Sequence, residues 1–453
     1  MSEVSRKFVQ YALTKSKFSD EAKHAAKTFI LDSLGVGIAG AKAPFNQAVF
    51  DTVMNWGSGD QAYLWGRGIK APTATAAYMN AFQIHCMEFD CVHEPAVVHP
   101  MASVLAALSA EADSQGGISG PQMIEAVIIA VDVAVELGVA VTSPLKFFRP
   151  ATASLFGATL GVARLRGFDE DTALSAMGCA LAQCAGVMQA HLEGKPTLPV
   201  QIAGAARAAV VACDLAQNGL HGPVSSLEGP YGYFNMFEDE VDVQSSADKL
   251  GKIHRITEVS WKPFPTGRAG QGGIVAVQKL RQRGVTFDNV KTLELSAPPI
   301  IERLVGRPMT DNMSANYARL CFPYLAPIVL LRGSVSLDDF TDENLNNLEI
   351  RNFAGNVSVV VNDVSDPAAF TPQKATAEMK DGRTVIAEID TLFGSPADPL
   401  SLEQHLQKFS TCISFGLSEV NAHMVADGLI SQVENMETLS DCREIFELAS
   451  GRV

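Results

Sequence analysis

The sequence contains no nucleophile elbow, no Walker loop and no HExxH pair, so it offers none of the short signatures of serine hydrolases, nucleotide hydrolases or zinc peptidases. It is poor in positive charge: 35 Lys and Arg stand against 50 Asp and Glu, a formal net charge of −15. That balance excludes nucleic acid and anionic membranes as expected partners, because both reward clustered basic residues. No CxxC occurs among the eight cysteines, which read as reduced thiols of a cytosolic protein. The first residues lack the apolar stretch and small-residue cleavage site of a signal peptide, and a cytoplasmic location is expected. The most apolar stretch, 123–141, carries Glu125, Asp132 and Glu136 and so reads as a buried helix rather than a membrane span. Aromatic residues are scarce at 7%, whereas Ala and Gly abound, which favours closely packed helices.

What is present separates into two textures. Apolar residues recur at helical spacing over about 71–86, 100–114, 120–142, 151–166, 170–190 and 201–218, and Ser19-Asp20-Glu21 opens an earlier capped helix. Near residue 253 the pattern changes. Residues 253–259 alternate, a helical run covers about 271–283, and strands are predicted at 290–295, 356–362 and on both sides of Lys380-Asp381-Gly382. Helix returns after Pro399, with Ser401 as its start, and continues to about 449. The simplest arrangement is a mainly α protein. A large all-helical domain forms from both chain ends (1–265 and 397–453), with a smaller α+β lid domain inserted at 266–396.

Gly35-Val-Gly37-Ile-Ala-Gly40 matches the dinucleotide fingerprint, but helical periodicity and charged positions precede it where a strand is required. It reads as small-residue helix packing. The densest chemistry lies at 85–99, where His85, Cys86, Glu88, Asp90, Cys91, His93, Glu94 and His99 crowd together. A zinc site would need spaced ligand pairs that this segment and the rest of the chain do not supply, so no metal is expected. A carboxylate beside an imidazole suits proton transfer instead. Glu88, Asp90, His93 and His99 are the candidates; His85 reads as a packed helix residue and Glu94 as a solvated one. Arg149, Lys195, Lys262 and Arg268 each sit in a Gly- or Pro-restricted loop, where a fixed cation can hold a carboxylate.

These segments together resemble the MmgE/PrpD family over nearly the whole chain. Leu31 to Gly40 is similar to its first helix, Met87 to Pro100 to its "hDFDD…HP" segment, and Phe148 to Gly161 to "GFHPT…GxxG". Gly194 to Arg207, Leu227 to Phe234, Lys262-Pro-Phe-Pro265 and Tyr317 to Tyr324 resemble further family stretches in the same order. The resemblance implies a helical domain with an α+β lid, a site between them, a homodimer, no cofactor, and a small polycarboxylate substrate. It places Glu88, Asp90, His99, Lys262 and Tyr324 at site positions.

The sequence also departs from the family pattern. Cys91 stands for an aspartate, Arg149 for a histidine, Leu198 for a lysine, Gln201 for a histidine, and Ala269 and Gln271 for paired histidines. A retuned pocket is therefore expected. In the resulting scheme His99 transfers the proton and Glu88 or Asp90 assists it. Tyr324 donates a second proton, and Lys262, Arg268 and Arg149 hold carboxylates, with Lys195, His93 and Gln271 as further contacts. Dehydration is favoured over epimerisation and decarboxylation; a non-catalytic metabolite-binding relative is the alternative.

Overall fold

The computed structural model describes residues 3–14, 17–366 and 368–452. Two main hydrophobic clusters organise them. The larger is built from residues between Val4 and Val259 together with Phe409 to Ala449, and the smaller from residues between Phe264 and Ile389. The helices Leu402–Gly416, Glu419–Glu434 and Arg443–Ala449 thus return to the helical body after the chain has made the second one. A third, small cluster joins Phe82, Met87 and Phe89 to Leu337 and Cys412, directly under the acidic and histidine-rich loop.

The helical body forms as its pattern dictates. Ser19 caps the helix Asp20–Gly40 by accepting from the Ala22 amide, and Ser401 with Gln404 makes a capping box. Gly35-Val-Gly37-Ile-Ala-Gly40 lies inside that first long helix. A Cβ on Gly37 would come within 2.7 Å of the Trp65 ring, and one on Gly40 would overlap the Gln83 carbonyl. The glycines therefore serve close helix packing, and they fix the helix Thr73–His85 two residues before its catalytic-looking end. The helix Leu198–Gln217 is long and apolar enough to cross a membrane by composition, but most of it is buried inside the protein.

The second body carries a four-stranded sheet in the order Val357–Val361, Val290–Ala297, Gln373–Met379, Thr384–Ile389. The first pair is parallel and the others antiparallel. In Gln373–Met379 every second residue is buried, the alternation of a sheet with one covered face. The helix Arg268–Gln282 packs against that sheet.

Two local expectations are corrected. The alternating stretch 253–259 forms a single turn of 3₁₀ helix, Arg255–Glu258, because Arg255 is drawn to buried Glu136 and its amide to Asp132. The helix predicted over 170–190 stops at Leu181, and only a short helix, Gln189–Glu193, follows.

Candidate active site

The loop 86–99 connects the end of the helix Thr73–His85 to the start of the helix Pro100–Gln115. Pro100 lies in the first turn of that second helix, where its missing N–H costs nothing. The loop is pinned twice, by the pairing of His93 with Val98 and by that of Val92 with Ser260. The second pairing carries Lys262 alongside Glu88 and Asp90. Glu88 and Val97 hold positive φ values of 52° and 50°. That conformation is costly for a β-branched residue, and such strain clusters at functional sites.

At the centre Asp90 Oδ2 accepts from two imidazoles, His85 Nδ1 at 2.9 Å and His99 Nδ1 at 3.0 Å. The two rings stand edge to face, 5.0 Å between centroids. Lys262 is fully buried and donates to Glu88 Oε2 at 2.9 Å, with Asp90 Oδ1 3.5 Å away. Burial opposes the charge of Glu88, but Lys262 and the two imidazoles outweigh it and hold the carboxyl down at about 2. Asp90 is likewise held well below the usual carboxylate range, the imidazoles and Lys262 overcoming its burial.

The two histidines are pushed apart. Burial opposes charge on His85, but Asp90 and Glu88 overcome it and its pKa is raised. Burial and then Lys262 lower that of His99, against the pull of Asp90. Groups that share a partner yet differ in this way mark acid and base roles. The directions suit His85 as the stronger holder of a proton and His99 as the weaker one. His99 is 12% exposed on its side chain. Because Nδ1 of each ring donates to Asp90, Nε2 is the atom left for chemistry.

His85, Asp90 and His99 bring three donor atoms within 4.8 Å of one another, close enough for a metal. The Nδ1 atoms of both rings are committed to one carboxylate oxygen, and the Lys262 ammonium stands 3.5 Å from the other.

A cavity opens against this cluster between the two bodies. His85, Glu88, His99, His191 and Arg268 line its polar side, and Phe148, Met188, Leu198, Leu304 and Phe370 much of the rest. Arg268 Nε donates to Glu94 Oε1 at 2.6 Å, and Nη1 donates to the Phe393 and Trp261 carbonyls. Its Nη2 and His85 Nε2 are buried without a hydrogen-bond partner, Glu88 Oε1 lying 3.8 Å from the latter. An unpaired buried donor costs about 1–3 kcal/mol, so two of them on cavity-lining side chains point to an anionic or carbonyl guest.

Several expected site residues lie elsewhere. Arg149 makes a two-pronged ion pair with Glu238 at 2.9 and 3.1 Å and spends Nη1 on the Ala96 carbonyl, leaving nothing for a substrate. His93 pairs with Glu258 and accepts from the Ala96 amide, so both its nitrogens brace the loop. Gln271 holds the Phe264 and Thr266 carbonyls and backs Arg268. Lys195 is exposed on the loop after Gln189–Glu193 and does not line the cavity. Tyr324 is buried in the second core and donates to the Asp339 carbonyl at 2.5 Å. Tyr324→Phe is therefore expected to cost about 1 kcal/mol of stability and to change kcat/KM less than threefold, measured by chemical denaturation and steady-state kinetics.

Other site residues escaped the sequence reading. His85 ends its helix and looked like core, but its partner Asp90 lies just beyond in the loop. Glu94 pairs with Arg268 and accepts from Ser260 instead of facing water. His191 lines the cavity, kept neutral by burial and by Arg307 with its pKa near 4. Only the helix break after Leu181 could have signalled it.

The MmgE/PrpD N-terminal domain matches residues 7–246 and the MmgE/PrpD C-terminal domain residues 264–429. The chain belongs to the MmgE/PrpD family. Relatives within it include the cis-aconitate decarboxylase of Mus musculus, 27% identical over 97% of this chain and 92% of its own length. That of Homo sapiens is 26% identical over 97% and 93%. That of Aspergillus terreus is 24% identical over 93% and 90%. The stretch between the two matches, 247–263, ends with Lys262-Pro263.

Proposed function

We propose that this protein is a lyase that breaks a C–C bond in a small unsaturated carboxylic acid and protonates the carbon next to a remaining carboxylate. The observation that carries the reading is the pair of unpartnered buried donors, His85 Nε2 and Arg268 Nη2, on one cavity. Arg268 would hold the retained carboxylate. As the C–CO₂ bond breaks, its electron pair moves through the double bond into that carboxylate, where a fixed guanidinium stabilises it best. His85 Nε2–H then gives its proton to the adjacent carbon, and CO₂ leaves; solvent restores the proton. Decarboxylation stands ahead of the dehydration favoured from sequence because the relatives named above are decarboxylases. Dehydration remains the second reading, supported by two imidazoles on one carboxylate whose pKa values are shifted in opposite directions, an arrangement suited to taking one proton and delivering another.

The test is incubation in D₂O with a panel of unsaturated and hydroxylated di- and tricarboxylates, followed by proton NMR and CO₂ assay. Release of CO₂ with one deuterium beside a carboxylate supports decarboxylation, and water loss without CO₂ supports the second reading. Absence of turnover and of exchange throughout the panel contradicts both. If the active substrate is dehydrated, kcat/KM is expected to rise with pH through the His99 pKa, below 6.5, where the base is freed; decarboxylation as written needs no base and lacks this limb. For either reaction kcat/KM should fall through the His85 pKa, above 6.5, where the acid is lost.

A further inference from the structure

The cavity is chemically lopsided. One side bears His85, Glu88, His99 and Arg268; much of the other is made by Leu145, Phe148, Met188, Leu198, Leu304 and Phe370. The charges on the polar side compensate one another. Glu88 and Asp90 face Lys262, Glu94 faces Arg268, and Asp90 also holds His85. A guest with several carboxylates finds one free guanidinium nitrogen on the wall, Arg268 Nη2. Arg307 stands behind the wall, its Nη2 on the His191 and Leu304 carbonyls and its guanidinium over the Tyr317 ring. Its Nη1 is unpartnered, which makes it the rival anchor for a further carboxylate. Arg307 is nonetheless not among the residues that line the cavity, and a carboxylate beside Leu198, Leu304 and Phe370 would give up its water with only the uncharged His191 imidazole near it.

We infer that the natural substrate carries a short hydrocarbon group, seated on the Met188–Leu304–Phe370 side of the cavity, where a tricarboxylate would place a carboxylate. This rests on the reading of the site as a carboxylate lyase given above. The group is short because only about 70 Å³ is open to the centres of water molecules. Burying each added methylene strengthens binding roughly threefold to fourfold until the space is filled.

A set of 3-substituted glutaconates tests this, with hydrogen, methyl, ethyl, propyl or carboxylate as the substituent; the last is cis-aconitate. CO₂ release gives kcat/KM for each. The expected result is a rise of about threefold per carbon as far as ethyl, with cis-aconitate at least tenfold below the ethyl compound. Met188→Gln and Leu304→Gln alter half-buried side chains of similar size, and each should reduce the gain per carbon. The gain is a ratio within one variant, so a general loss of activity does not mimic the effect. If cis-aconitate matches or exceeds the alkyl compounds, the inference is overturned while the lyase reading stands. If the alkyl gain survives both substitutions, the assignment to this wall is wrong. If no compound is turned over or exchanges a C–H, the lyase reading itself fails.

Discussion

Replacing His99 with glutamine is expected to lower kcat/KM for dehydration of a hydroxylated substrate by about 10²–10⁴, the usual contribution of a positioned general acid–base group. Glutamine can keep a hydrogen bond to Asp90 but carries no titratable nitrogen. The fold should be little affected, because His99 lines the cavity and glutamine keeps the link to Asp90. The measurement is kcat/KM on the compound found by the exchange panel, with the thermal midpoint as a control. Asp90→Asn should match this loss, since one carboxylate oxygen orients both imidazoles. The double variant should be little worse than either single one, because residues that act as a unit are not additive. A loss near the product of the two would mean that Asp90 and His99 act independently.

Lys262→Met is expected to have the largest effect on stability. It leaves Glu88 and Asp90 buried without their ammonium, and breaking a buried ion pair from one side typically costs about 3–5 kcal/mol. The pH dependence carries a definite sign. Glu88 and Asp90 have folded-state pKa values below their unfolded ones, so their stabilisation is fully present above about pH 4. It is lost as the pH falls through their folded-state values, about 2 for Glu88. The gap between wild type and variant should accordingly be constant near neutrality and shrink from about pH 4 downward. Urea denaturation at pH 7, 4 and 3 measures it. A gap that is small at pH 7, or that widens in acid, would show that Lys262 does not hold these carboxylates.

Much of the fold was legible because helical periodicity and turn chemistry agree with tertiary packing through most of the chain. The hairpin around Asp381-Gly382 and the capped helix after Ser19 are instances where local and global preferences coincide. The misread segments are those where a distant charge decides. Residues 253–259 alternate like a strand, but buried Asp132 and Glu136 draw the Arg255 backbone and side chain into a turn.

The site followed the same logic. Glu88, Asp90, His99 and Lys262 were visible as chemistry in restricted loops, and the structure brings them together. Arg149 had the same loop signature, yet Glu238, 89 residues away, takes both arms of its guanidinium. His85 and Glu94 were read as core and surface because their partners, Asp90 and Arg268, become neighbours only when the loop closes on the second body. A side chain's chemistry can be read locally; whether it is free to act depends on which opposite charge the fold delivers to it.

His85 and His99 share Asp90 yet are expected to titrate on opposite sides of the ordinary histidine value, and this can be measured without any substrate. Histidine-selective ¹³C labelling of the full chain, with His85→Gln and His99→Gln to assign signals, would follow each ring through pH. The predicted result is one site resonance titrating above 6.5 and lost in His85→Gln, and another titrating below 6.5 and lost in His99→Gln. Two rings titrating together near 6.5 would contradict the assignment of one as acid and the other as base.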